Sequence, residues 1–250
     1  MTKALVSLIA TVLLGPLLHA QSLTIYTEIS PPYQEVGANG KLKGYAIEIV
    51  QEIQKRTGNT DPIQVIPWVR GYNEAQAKAN VVLFSTARSA ERDHLFQWVG
   101  PLFDHAYVFY VKCDSKISIH DLEEAKKLGL IGVYKQDIRE QFLTHSGFTN
   151  LDTSINQEVM FKKLMAGRID ALAASPEAVE TIAQAAGYKL QDVRQLFTFL
   201  KVHSYIAFSK ATPSTTVKAW TVALEAMKQD ATFERIFRRY YPNAPLPTPQ

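Results

Sequence analysis

The chain has 250 residues, 46% hydrophobic and 20% charged, with 12 glycines, 12 prolines and a single cysteine. That profile excludes collagen, low-complexity disorder and a disulfide-stapled miniprotein, and leaves room for one large core or two lobes of roughly 100 residues each. The 27 basic and 24 acidic residues give a formal charge of +3 and form no basic block, so a nucleic-acid partner is not expected.

Residues 1–20 read as an export signal. Lys3 precedes an uncharged apolar run, residues 4–14 (ALVSLIATVLL); Gly15 and Pro16 break it, and Leu18-His19-Ala20 ends on a small residue. The run is shorter than the roughly 20 residues of a membrane-spanning helix. No cysteine follows it, so a lipid anchor is not expected. The only thiol, Cys113, lies in an apolar strand-like run and is expected in the core, with no internal disulfide available to the mature chain.

Strand and helix patterns then alternate. Residues 23–27 (LTIYT) read as a strand, and Tyr45, Ile49, Val50 and Ile53 have helical spacing closed by Lys55, Arg56 and Gly58. Strands are predicted at residues 63–68 and 81–85, with a short helix over 72–78 between them. This βαβαβ order implies a largely parallel sheet covered on both faces. An extended stretch, residues 104–112 (DHAYVFYVK), leads to a second alternation. A helix is predicted from Ser118 to Gly129 and a strand at 130–134. A further helix has Asp137 and Glu140 in a capping-box pattern, and another opens near Ser154 and Gln157. Residues 169–174 read as a buried strand, followed by Ser175-Pro176 as N-cap and first helical position. A second extended stretch, residues 202–210, precedes two helices carrying Trp220, Leu224, Met227, Phe233, Ile236 and Phe237; the Pro-rich tail, residues 242–250, is expected to be loose. Two βα lobes with a two-strand hinge follow from this order: residues 21–104 and 205–250 in one, 105–204 in the other, with crossings near 104–112 and 202–210.

Ligands of open parallel sheets collect beyond the C-terminal strand ends. The residues there are Glu28, Trp68, Ser85 with Thr86, Gln136 with Asp137, and Ser175, drawn from both lobes. Residues 85–92 (STARSAER) concentrate small hydroxyls, backbone donors and two guanidiniums, an arrangement suited to a carboxylate. Arg88 and Arg92 can equally be solvated and paired with Glu91 or Asp93.

Ser30-Pro31-Pro32-Tyr33, residues 44–50 (GYAIEIV), Pro67-Trp68, residues 85–92, residues 164–171 (LMAGRIDA) and residues 205–210 resemble, in order along almost the whole mature chain, the extracellular solute-binding protein family 3. The resemblance implies the type II periplasmic binding fold of the α/β class, closure on a hinge around a small ligand, no cofactor, and a monomer that delivers its solute to an ABC permease. It places Arg92 at the clamp of a ligand α-carboxylate, with Ala87 and Ser89 beside it. Glu28 falls near a position that holds the ligand amino group, and Tyr33 and Trp68 fall at pocket walls. Gln136 and Asp137 stand at a helix N-terminus that presents N–H groups to an anion.

One departure is clear. Ser175 stands where most amino acid receptors have an aspartate for the ligand ammonium, and Glu177 is the only nearby replacement charge. The expectation is therefore a periplasmic receptor for a small carboxylate-bearing solute, an amino acid or a relative. Two alternatives stay open: a cleft enzyme of the cyclohexadienyl or arogenate dehydratase type, for which Arg88, Arg92 and Glu177 are the relevant groups, and a sensory receptor. The six scattered histidines are expected in solvated or capping roles, and no metal is expected.

Overall fold

The structure, a computed structural model, describes residues 22–247; the export signal expected over residues 1–20 lies outside them. In chain order the first elements are β1 (Thr24–Thr27), β2 (Glu35–Val36), β3 (Leu42–Lys43), α1 (Tyr45–Thr57), β4 (Ile63–Val65), α2 (Trp68–Ala77), β5 (Val81–Ala87) and α3 (Ala90–Asp93). There follow β6 (Phe96–Lys112), α4 (Leu122–Ala125), β7 (Ile131–Tyr134), α5 (Ile138–His145), β8 (Leu151–Ser154), α6 (Gln157–Met165), β9 (Ala171–Ala174) and α7 (Pro176–Ala185). The chain ends with β10 (Val193–Ser209), α8 (Ser214–Gln229) and α9 (Thr232–Tyr240).

The sheet order is β4-β1-β5-β10-β6-β9-β7-β8. The 17-residue strands β6 and β10 pair antiparallel along their whole length and carry a different parallel set at each end. One end joins β5, and through it β1 and β4; the other joins β9, and through it β7 and β8. The sheet thus has two halves with separate cores. Ile25, Ile49, Ile53, Val82, Phe84, Phe208 and Trp220 belong to the first, and Phe109, Ile131, Val133, Leu143 and Ala171 to the second.

The α1 helix shows how sequence sets position. Its apolar spacing buries Tyr45, Ile49, Val50 and Ile53, Glu48 sits in the first turn and Lys55 and Arg56 in the last, and Gly58 closes it in the left-handed conformation. Gly44, at φ 120°, starts the helix where a Cβ would lie 2.4 Å from the Tyr33 carbonyl oxygen. Only glycine permits that approach, which holds the loop bearing Tyr33 and Gln34 against the helix start.

Several local expectations change. The strand predicted to Trp68 ends at Val65, because Pro67 has no ladder donor and instead begins α2, which starts at Trp68 rather than Tyr72. The helix predicted from Ser118 to Gly129 shrinks to α4, with Asp121 as its cap; Arg194 Nη2 donates to the carbonyls of Ser115 and Ile117 (3.0 and 2.6 Å) and fixes the preceding segment as extended. Cys113 is exposed, not in the core, since it lies one residue past the end of β6. The tail to Pro247 is packed rather than loose: Ala244 and Leu246 rest on the first core, and Arg238 Nη1 donates to the Ala244 carbonyl (2.6 Å). Among the described residues no helix is long and apolar enough to cross a membrane.

Candidate functional site

A cavity of about 60 Å³ lies between the two halves, at the C-terminal ends of the parallel strands. The first half contributes Thr27 at the end of β1, Glu28, Ser30, Tyr33 and Gln34 after it, Trp68 at the start of α2, Ser85 and Ala87 at the end of β5, and Arg92 from α3. The second half contributes His105 and Tyr107 from β6, Asp137 and Arg139 at the start of α5, Gln157 at the start of α6, and Ser175 at the N-cap of α7. Of the residues singled out by sequence, Glu28, Tyr33, Trp68, Ser85, Ala87, Arg92, Asp137 and Ser175 border this one cavity.

Arg92 is its most constrained group. The guanidinium is 1% exposed and lies over the rings of Trp68 and Tyr72, 5.4 and 4.9 Å from their centroids. Nε donates to Gln141 Oε1 (2.8 Å), Nη1 to the Ala87 carbonyl (3.2 Å) and Nη2 to the Gln136 carbonyl (3.4 Å). These acceptors are all neutral, and among the described residues Arg92 has no carboxylate within ion-pair distance; the nearby Asp137, itself paired with Arg139, compensates its charge only in part. Three contacts on a five-donor fork leave donors unassigned, and Arg92 lines the cavity.

The two halves meet directly around it. Trp68 Nε1 donates to the Gln136 carbonyl (3.0 Å), and Tyr134 OH donates to Glu28 Oε2 (3.0 Å). Gln136 takes φ 55°, which turns its carbonyl toward both Trp68 and Arg92 while its N–H is held by Glu140. Gln136 thus acts through its backbone, just outside the cavity lining. Asp137 caps α5 by accepting from Arg139 N (2.9 Å) and also pairs with Arg139 Nε at 2.5 Å. Burial alone would push Asp137 up, but the Arg139 guanidinium holds it below the usual carboxylate range. Glu28 is pushed up to about 7 by burial, with the Tyr134 hydrogen bond opposing. Burial lowers His105 to about 4.

Three sequence-selected side chains stand elsewhere. Arg88 is on the surface, paired with Asp93 (2.6 Å) and over the rings of Trp98 and Tyr205. Ser89 borders that same surface groove. Glu177 is exposed and borders a separate hollow with Asp104 and Tyr241. Ser175 occupies the N-cap of α7, yet its hydroxyl makes no capping bond. Sequence reasoning passed over Gln34, His105, Tyr107, Arg139 and Gln157. Arg139 carried a usable signal, an acid–base pair at i, i+2 in a first helical turn; His105, read with the solvated histidines, instead packs among Tyr33, Phe103 and Tyr107.

A profile of the bacterial extracellular solute-binding proteins, family 3, matches residues 23–243, and the chain belongs to that family. Comparison with curated proteins returned no match. Among solved structures, an ancestral arginine-binding protein bound to arginine is 23% identical with a TM-score of 0.74, over 88% of this chain and 98% of that one. A histidine kinase sensor domain with similarity to periplasmic binding proteins is 16% identical with a TM-score of 0.79, over 91% and 98%. The substrate-binding protein of an amino acid ABC transporter is 18% identical with a TM-score of 0.73, over 89% and 100%. These likenesses establish the type II periplasmic binding fold, and the family is one of binding proteins.

Proposed function

We propose that this family member works in the periplasm, where it captures a small carboxylate-bearing solute, an amino acid or a relative, and delivers it to the permease of an ABC importer. The observation that carries the reading is Arg92, a buried guanidinium without a carboxylate partner among the described residues, bordering a cavity shared by both halves of the sheet. A ligand carboxylate on the free N–H groups would complete its charge compensation. An amino group would be taken by Glu28, the acidic group of the lining not tied to a guanidinium. The lobes, residues 21–104 with 205–250 and residues 105–204, would close about the crossings at 104–112 and 202–210. A solute touching both would favour the closed state by its differential contacts. The amino acid-binding neighbours of this fold support the solute class.

A sensory role through a membrane partner is the second reading, favoured by the likeness to a kinase sensor domain; it would use the same cavity. The dehydratase alternative is less well supported, because of Arg88, Arg92 and Glu177 only Arg92 borders the cavity.

A thermal-shift screen of residues 21–250 against amino acids, amines and small carboxylates tests the reading. A solute at a hundred times its Kd adds about 2.7 kcal/mol of stability. At least one carboxylate-bearing compound is expected to raise Tm, and amines lacking a carboxylate are not. If dicarboxylates alone act, Ser175 marks the loss of the ammonium site. A response to amines only would contradict the reading.

A further inference from the structure

We infer that Gln34 and His105 read the far end of the solute, and that this end is an uncharged hydrogen-bonding group, best matched by a carboxamide. The inference deepens the reading of the cavity as a solute site and rests on it. Both side chains border the cavity, one from each half. Gln34 is 1% exposed and donates through Nε2 to Ser85 Oγ, while its Oε1 has no partner. The His105 ring is held edge-on to Tyr33 (5.0 Å) and parallel to Tyr107 (5.6 Å), while its Nδ1 has no partner. Buried polar atoms are nearly always paired in folded proteins, so two unpaired ones on side chains that line one cavity point to a missing partner there. Tyr33, which precedes Gln34 in the chain and touches the His105 ring, lines the same cavity.

The charges of the lining are already assigned. Arg92 takes the solute carboxylate, Glu28 takes the amino group, and Asp137 and Arg139 neutralise each other at 2.5 Å. No carboxylate is left for a distal cation and no free guanidinium for a distal anion. Gln34 and a neutral His105 remain. An amide can present either edge if the Ser85 hydroxyl reverses its bond, and a neutral imidazole donates from one nitrogen and accepts at the other. A carboxamide offers a donor and an acceptor together and satisfies both.

Isothermal titration of residues 21–250 with two near-isosteric sets of L-amino acids tests this without any variant. The sets are asparagine, aspartate and leucine, and glutamine, glutamate and methionine. In at least one set the carboxamide is expected to bind about tenfold or more tighter than both isosteres. In the double variant Gln34→Leu/His105→Phe, checked for folding by its unliganded Tm, that preference is expected to vanish while Arg92-dependent binding persists. An isostere binding as tightly as the carboxamide in both sets, aspartate or leucine against asparagine and glutamate or methionine against glutamine, would overturn the subsite and leave the cavity reading standing. Failure of all six while another carboxylate binds would overturn the subsite alone, and failure of all six together with every carboxylate in the thermal screen would overturn both.

Discussion

Replacing Arg92 by alanine is expected to weaken a carboxylate-bearing solute by about 30–150-fold, equivalent to roughly 2–3 kcal/mol for a desolvated charge-assisted contact. The magnitude follows from burial. A surface pair in water contributes little, whereas this guanidinium is buried over the stacked rings of Trp68 and Tyr72 and has only neutral hydrogen-bond acceptors. Arg92→Met separates charge from volume. It packs over the same two rings, lacks the fork, and is expected to lose the same affinity. Arg92→Lys retains the charge but not the two-pronged geometry and is expected to recover only part of it. Isothermal titration on folded variants measures all three, and unchanged affinity in Arg92→Met would remove Arg92 from the site.

The second large effect is on stability against pH, where Glu28 and His105 oppose each other. Folded Glu28 holds its proton to about 7 against an ordinary 4.5, chiefly through burial. Between those values the folded protein binds more protons than the unfolded chain, so this group lowers stability as pH rises, by about 3 kcal/mol in total. Burial lowers His105 from 6.5 to about 4. Here the unfolded chain binds more protons, so stability rises with pH across that window by a similar amount, about 3 kcal/mol. The nearby charges, Asp137 and Arg139, act on both groups with opposing signs. The two slopes cancel where the windows overlap, from pH 4.5 to 6.5. Glu28→Gln is therefore expected to gain stability steeply as pH rises from 4 to 6.5, and His105→Phe to lose it from 4.5 to 7. Urea unfolding at each pH, read as the difference from the parent protein, checks both. Parallel profiles for the three proteins would contradict the pairing.

The βα alternation was legible because each element carries a local signal: β-branched strands, helical apolar spacing in α1, and the Gly58 stop. Much of the cavity was legible for a related reason, since parallel sheets place ligands at the C-terminal strand ends: Glu28 follows β1 directly, Trp68 opens the helix after β4, and Ser85 lies near the end of β5. What stayed hidden depends on which way a side chain turns after the backbone is set. Arg88 and Arg92 stand four residues apart in the same polar segment. The short α3 turns Arg92 inward over two stacked aromatic rings, while Arg88 stays outside with Asp93. His105 sits on a strand whose alternation assigns it a face, but only the pairing of β6 with β10 brings that face to the cavity. Gln34 is placed by the tight approach of Gly44 to the Tyr33 carbonyl, a contact that composition cannot disclose. The α4 boundary failed because a distant guanidinium, Arg194, holds the preceding residues extended.

The most direct test of the central claim is a crystal structure of the mature chain with the solute that gives the largest thermal shift. The solute is expected between the two halves of the sheet, with its carboxylate oxygens about 2.7–2.9 Å from the Arg92 guanidinium nitrogens, the spacing of a charge-assisted bond. A solute bound elsewhere, or in this cavity with its carboxylate turned away from Arg92, would contradict it.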